Sequence, residues 1–137
     1  MAKPGIVFIC LGNSCRSIMA EALAGHLFRE ELVAASAGIN PLGFVARETL
    51  QVLAELGVDT NGLYSKGLEE IDFPRYQLLV NLTHYSLETL MPLTFPGRLL
   101  HRAVPDPYGG SLEDYRQTRD LLQRLIMEEI YPLLFPA

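Results

Sequence analysis

The run Gly5–Cys10, GIVFIC, leaves the fold little choice. It is uncharged throughout, far too short to cross a membrane, and lacks the polar alternation of a strand with one wet face. Such a run is a strand covered on both sides, which parallel sheets with flanking helices provide. It breaks at Leu11, Gly12 and Asn13, and a helical row of Met19, Leu23 and Leu27, with Ile18 and Ala22 beside it, then predicts a helix over 16–30. The unit is strand, polar loop, helix.

The same alternation continues. Strands are expected over 32–37, 78–82 and 98–104, and helices over 44–56, 83–91 and 112–130. In the helix over 44–56, Val45, Val52, Leu53 and Leu56 are expected to face inward, with Gly57 as its stop. Pro92 ends the short one, and Ser111 with Asp114 forms a capping box for the last, whose apolar row is Leu121, Leu122, Leu125, Ile126 and Ile130. The irregular stretch 59–77, broken by Asn61-Gly62, Lys66-Gly67 and Pro74, reads as surface with one helical turn at 68–71. These elements predict an α/β fold: one domain over 1–137, with a four-stranded parallel sheet and helices on both faces. Ligands bind such sheets beyond the carboxyl ends of the strands where the order reverses, which is the end of strand 1 if the order is 2-1-3-4, the order expected here.

With 49% hydrophobic and 20% charged residues, 137 residues suffice for one core without metal or disulfides. A net charge of −5 and a pI near 5.1 argue against nucleic acid, whose phosphates demand Lys and Arg. No apolar run is long enough for a membrane, and the N-terminal one reads as a strand rather than a signal peptide, so the expectation is a cytoplasmic protein. Cys10 and Cys15 are the only two cysteines, and their spacing suits neither a disulfide framework nor a zinc site. No metal or cofactor is expected.

A loop closing onto a helix start turns its backbone N–H groups inward, and the amides of Leu11, Gly12, Asn13, Ser14 and Cys15 would cradle an oxyanion such as phosphate. Cys10 lies at the floor of that cradle, where the helix N-terminus and Arg16 favour a sulfur anion, a nucleophile. The alternative is a structural cysteine closing a core strand. An ester also needs its leaving oxygen protonated, and Asp106 is the candidate acid. At about 4.8 Å per strand it starts roughly 10 Å from Cys10, so the loop VPDPYGG must bridge the gap, stiffened by Pro105 and Pro107 and turned by Gly109-Gly110. Asp106 would first donate a proton and then activate water; otherwise it is a turn residue. Tyr108 is either a wall of the pocket mouth or core. Ser36, ending strand 2, either bonds the Asn13 side of the loop or is a turn hydroxyl. His26, His84 and His101 read as structural.

CLGNSCRS near the N-terminus, SAG after strand 2 and DPYGG before the last helix together resemble the low-molecular-weight protein tyrosine phosphatase family across essentially the whole chain. The resemblance implies Cys10 as nucleophile and Arg16 with the loop amides as phosphate clamp. It also implies Ser17 as donor to the leaving thiolate, Asn13 and Ser36 as loop supports, and Asp106 as acid then base. The implied partner is a phosphoprotein or small phosphate monoester, with no metal. Two positions depart from the pattern. Ile18 stands where the family usually has Pro; Ser14 stands where tyrosine-directed members have a bulky Ile and bacterial protein-arginine phosphatases, which DPYGGSLEDYRQTRD also resembles, have Thr. Thioredoxin-coupled arsenate reductases are similar in the same loop, and NPLG and LYSKGLEE look somewhat like theirs. With no cysteine after Cys15, a reductase would need an external thiol. A non-enzymatic phosphate- or phosphoprotein-binding module is the remaining alternative. Cys15 either traps oxidised Cys10 as a reversible disulfide or packs against the sheet.

Overall fold

Side chains along β1 (Gly5–Cys10) alternate between two interiors. Ile6 and Phe8 join one buried cluster, and Val7 and Ile9 join another on the opposite face. Every residue of β1 is buried, as its uninterrupted apolar run requires. The computed structural model describes residues 3–90 and 95–137. In it β1 pairs in parallel with β2 (Val33–Gly38) on one side and β3 (Leu78–Asn81) on the other, and β4 (Arg98–His101) pairs with β3. The order is β2-β1-β3-β4, as expected.

The two faces are covered unequally. The first carries α1 (Arg16–Phe28), α2 (Arg47–Glu55) and α4 (Leu112–Leu125), whose Met19, Leu23, Val52, Leu53, Leu122 and Leu125 pack with Phe8 and Val80. The second face carries 3-10 turns at Leu68–Glu70 and Phe73–Arg75 and the short α3 (Leu87–Leu90), with Phe73 and Leu87 over Val7 and Leu79. The capping box opening α4 is present in full: the Ser111 hydroxyl accepts from Asp114 N–H, and the Asp114 carboxylate accepts from Ser111 N–H.

Several expected boundaries shift, each for a local reason. The helix expected from residue 44 begins at Arg47, because the backbone of 39–46 is committed elsewhere, as the site below makes clear. Phe44 and Leu56 are exposed and Val45 only half-buried, so only Val52 and Leu53 of the expected inward set reach the core. The strand expected to 104 ends at His101, although the chain still follows the end of β3, with Arg102 N–H donating to Asn81 O (3.0 Å) and Val104 N–H to Leu82 O (3.0 Å). The helix expected over 83–91 spans only Leu87–Leu90, because the residues after Leu82 fold into a turn in which Thr83 and Asn81 bond the Tyr85 carbonyl; Met91 and Pro92 lie outside the described residues. The last helix passes its expected end at 130, through a π-helical stretch Ile126–Ile130 into α5 (Tyr131–Leu134). Pro132 has no N–H to give the preceding turn, and its ring would strike the carbonyl four residues earlier; the wider π turn makes room. Leu121 of its expected apolar row faces solvent. No helix of the described residues is long and apolar enough to cross a membrane.

Candidate active site

Cys10 closes β1, and the next five residues curl around its sulfur before α1 begins at Arg16. The curl is held from outside by its carbonyls. Ile39 N–H donates to Cys10 O (3.1 Å), Asn40 N–H to Leu11 O (2.8 Å), Leu42 N–H to Gly12 O (2.9 Å) and Ala46 N–H to Ser14 O (3.2 Å). These four bonds are why α2 starts late. With the carbonyls turned outward, the amides face the bowl, and Asn13 N–H points at Cys10 Sγ from 3.3 Å. The turn requires Asn13 at φ 47°, the only positive φ at a non-glycine residue among those described, and Asn is a residue type that tolerates it. Gly38 allows the close approach of β2: a Cβ there would lie 2.9 Å from both Asn13 N and Leu11 O.

Behind the sulfur runs a polar chain, buried from Cys10 to Ser36 and ending at the partly buried Glu21. Ser17 Oγ lies 2.8 Å from Cys10 Sγ, Asn13 Nδ2 donates to Ser17 Oγ (2.7 Å) and to Ser36 Oγ (3.0 Å), and Ser36 donates to Glu21 Oε1 (2.5 Å). Ser17 oxygen accepts from Asn13, and its single proton is free to go to Cys10 when the sulfur is an anion. The structure thus brings Ser36 into hydrogen-bond contact with Asn13 on the loop.

Arg16 is buried although it opens a helix, and its guanidinium is tethered from the strand ends. One nitrogen donates to Leu82 O (3.2 Å) and Val104 O (3.1 Å). Its other terminal nitrogen stands 3.5 Å from Asp106 Oδ2. The loop after β4 therefore closes the gap of roughly 10 Å anticipated from strand spacing. Asp106 is half-exposed, at 47% of its side chain, and its second oxygen accepts from Tyr108 N–H (3.1 Å). Gly109 turns the chain at φ 83°.

Cys10, Arg16, Asp106 and Tyr108 share one cleft with Leu11, Gly12, Ser14 and Cys15. Asn40 and Leu42, which the sequence did not single out, complete its lining. Leu11, Leu42 and Tyr108 are exposed at its mouth and give the anion bowl an apolar rim. Tyr108 is thereby a wall and not core. Ser14 Oγ accepts from Ala46 N–H (2.9 Å), which leaves its own proton to donate, while its buried carbonyl is also bonded by Thr49 Oγ1.

Cys15 joins the larger hydrophobic cluster and donates to Tyr115 Oη at 3.5 Å. Burial pushes its thiol up, only partly offset by the hydrogen bonds of Tyr115 and Thr49, so Cys15 is held as a thiol. Burial and then the Cys15 bond push the Tyr115 hydroxyl up as well. Packing against the sheet describes Cys15 in this state, and both cysteines are free. His101 bonds Thr83 O (2.7 Å), a structural role as expected. Two further residues that the sequence did not single out are Glu21, one turn after Ser17 on α1, and Lys66, buried although it lies in the stretch expected at the surface. The only sequence signal for them was the spacing of Glu21 four residues after Ser17.

The arrangement is an oxyanion bowl with a sulfur at its floor, a guanidinium at its side and a carboxyl at its rim. The family model described as low molecular weight phosphotyrosine protein phosphatase matches residues 5–130. A protein-arginine-phosphatase of Bacillus subtilis is 31% identical, over 90% of this chain and 92% of its own. An arsenate reductase of Staphylococcus aureus is 30% identical, over 88% and 91%. A solved arginine phosphatase, YwlE, whose active-site cysteine was replaced by a serine that carries a phosphoryl group, superposes with a TM-score of 0.83 at 28% identity, over 97% of each chain. Fold, cleft and comparisons agree, and the chain belongs to the low molecular weight phosphotyrosine protein phosphatase family.

Proposed function

We propose that this chain removes the phosphoryl group from phosphotyrosine in proteins, or from small aryl phosphates, by double displacement through a phosphocysteine at Cys10. The observation that carries the reading is convergence: Ser17 Oγ at 2.8 Å from Cys10 Sγ, and Asp106 at 3.5 Å from Arg16, on one cleft with an apolar rim.

In the first step the Cys10 sulfur anion attacks phosphorus, the ester P–O bond breaks, and protonated Asp106 gives its proton to the leaving oxygen. The bowl amides and the free edge of the Arg16 fork hold the equatorial oxygens as charge spreads over them, the task that positioned donors perform in phosphoryl transfer. In the second step Asp106, now a carboxylate, takes a proton from water as that water attacks phosphorus. The S–P bond breaks, inorganic phosphate leaves, and the Ser17 hydroxyl donates to the departing sulfur. Leu11, Leu42 and Tyr108 fit the face and edge of an aromatic ring above the bowl. A reducing compartment, the cytoplasm, belongs to this reading because the nucleophile must stay a free thiol.

The experiment is rapid-mixing turnover of an aryl phosphate. A burst of phenol followed by slower steady release is expected, with Cys10→Ser abolishing turnover while phosphate still binds. Phosphate binding without turnover by the wild type would leave only a binding module.

Ser14 favours a second reading. Its small hydroxyl, with a proton to spare, replaces an apolar wall and can bond a phosphoguanidinium nitrogen or the attacking water, which directs the cleft to phosphoarginine. Turnover of phosphotyrosine, phosphoarginine and arsenate by wild type and Ser14→Ile decides among the substrates. Loss of phosphoarginine turnover with phosphotyrosine retained assigns Ser14 to guanidinium recognition. Arsenate reduction by the wild type with an added small thiol assigns reductase chemistry instead.

A further inference from the structure

Lys66 is a buried cation that the mechanism above does not use. Its side chain is 8% exposed, and its ammonium lies 3.4 Å from Glu21 Oε1, 3.5 Å from Ser36 Oγ and 3.0 Å from Tyr64 O. Its backbone N–H donates to Asn13 Oδ1 at 2.8 Å, and its carbonyl accepts from Gly38 N–H at 2.9 Å. A lysine is seldom buried without a partner, and here one residue grips the polar chain that reaches Cys10 both at its far end, Glu21, and at its middle, Asn13.

With Cys10 as an anion that can only accept, the donor and acceptor inventory gives that chain one direction. An ionised Glu21 can only accept, so Ser36 donates to it and offers its oxygen to Asn13. The Lys66 N–H occupies Asn13 Oδ1, which settles the amide orientation and turns Nδ2 toward Ser36 and Ser17. Ser17, accepting from Asn13, gives its one proton to the Cys10 sulfur when that sulfur is an anion. All of this depends on Glu21 remaining an acceptor without adding uncompensated negative charge behind a sulfur that must itself become an anion. We propose that Lys66 is a positioning residue for Cys10, its ammonium neutralising Glu21 and its backbone N–H orienting Asn13, so that the chain runs one way and ends in a donor to the nucleophile.

The inference rests on Cys10 being the nucleophile, and the test separates the two. Alkylation of Cys10 by iodoacetate is followed against pH, alongside kcat and KM for an aryl phosphate and the urea midpoint. Lys66→Met keeps the stem and the backbone N–H but leaves Glu21 without its cation. With Glu21 left charged and unpaired behind the sulfur, the alkylation midpoint rises by about one pH unit, equivalent to about tenfold in the sulfur's acidity. Turnover at neutral pH falls by a similar factor through kcat, with KM little changed. Lys66→Arg restores most of the loss, and Lys66→Met with Glu21→Gln returns the midpoint because the offending charge is gone. Glu21→Gln alone, which strands the cation instead, lowers the midpoint, and this variant carries the test if Lys66→Met does not fold. An unmoved midpoint in Lys66→Met and Glu21→Gln, with only the urea midpoint changed, would overturn the proposal. A wild type that alkylates with the expected pattern but never turns over substrate would count against the phosphatase reading and leave this one standing.

Discussion

Asp106→Ala should move binding and turnover in opposite directions. Without an oxyanion, Asp106 occupies one edge of the Arg16 fork at 3.5 Å. Its side chain is 47% exposed, so the pair belongs to the solvent-screened class, about 0.2–1 kcal/mol. Removing the carboxylate frees that edge and removes a negative charge from the rim, so inorganic phosphate should bind up to about fivefold more tightly, the equivalent of about 1 kcal/mol. The same change deletes the acid. A positioned general acid contributes ~10²–10⁴ in rate, so turnover of phenyl phosphate should fall by about that factor. Nitrophenyl phosphate, whose leaving group needs little protonation, should lose no more than about tenfold. Competitive inhibition by phosphate and steady-state rates on the two esters measure both effects in one preparation. Equal losses on both esters would remove Asp106 from acid catalysis; weaker phosphate binding would mean that its pairing with Arg16 organises the bowl and does not compete for it.

Three further outcomes follow from other parts of the structure. Gly38→Ala places a Cβ 2.9 Å from the backbone of Leu11 and Asn13, which cannot yield as a side chain would; it should cost about 1–3 kcal/mol in urea unfolding and weaken phosphate binding, and unchanged binding would contradict the close packing of β2 on the loop. Glu55 is held at about 2, against an ordinary 4.5, first by the Arg116 fork and then by Arg119. A lowered carboxylate stabilises the fold fully above its unfolded value and loses that contribution as pH falls through the folded one. Glu55→Gln should therefore be less stable than wild type at neutral pH, with the gap closing between about 4.5 and about 2; a gap constant with pH would refute the ion pair's role. Under peroxide, Cys15 should trap oxidised Cys10 as a disulfide seen by peptide mass spectrometry, faster as pH rises because burial holds the Cys15 thiol up, whereas sulfinic acid at Cys10 alone would exclude the trap.

The centre of the site was legible because its signals are local: an uninterrupted apolar strand, a bend rich in Gly12 and Asn13, then Arg16 and Ser17 at a helix start. Parallel strand direction followed from alternation, and with it the side of the sheet on which Asp106 had to emerge. What escaped depends on contacts between distant segments. Lys66 is buried because its carbonyl takes the Gly38 N–H and Gly67 bridges to Gly38, a register that nothing in the sequence around Lys66 reports. The late start of α2 has the same origin: Asn40, Leu42 and Ala46 spend their N–H groups on the loop carbonyls, so helical periodicity over 44–46 is overridden. At the C-terminus Pro132 marked a break, yet a π turn absorbed it and the helix continued.

The account turns on a covalent bond between phosphorus and the Cys10 sulfur. Rapid acid quench during turnover of an aryl phosphate, followed by peptide mass spectrometry, should find the phosphoryl adduct on the peptide carrying Cys10, in an amount matching the phenol burst. A burst with no adduct there, or an adduct on any other residue, would contradict it.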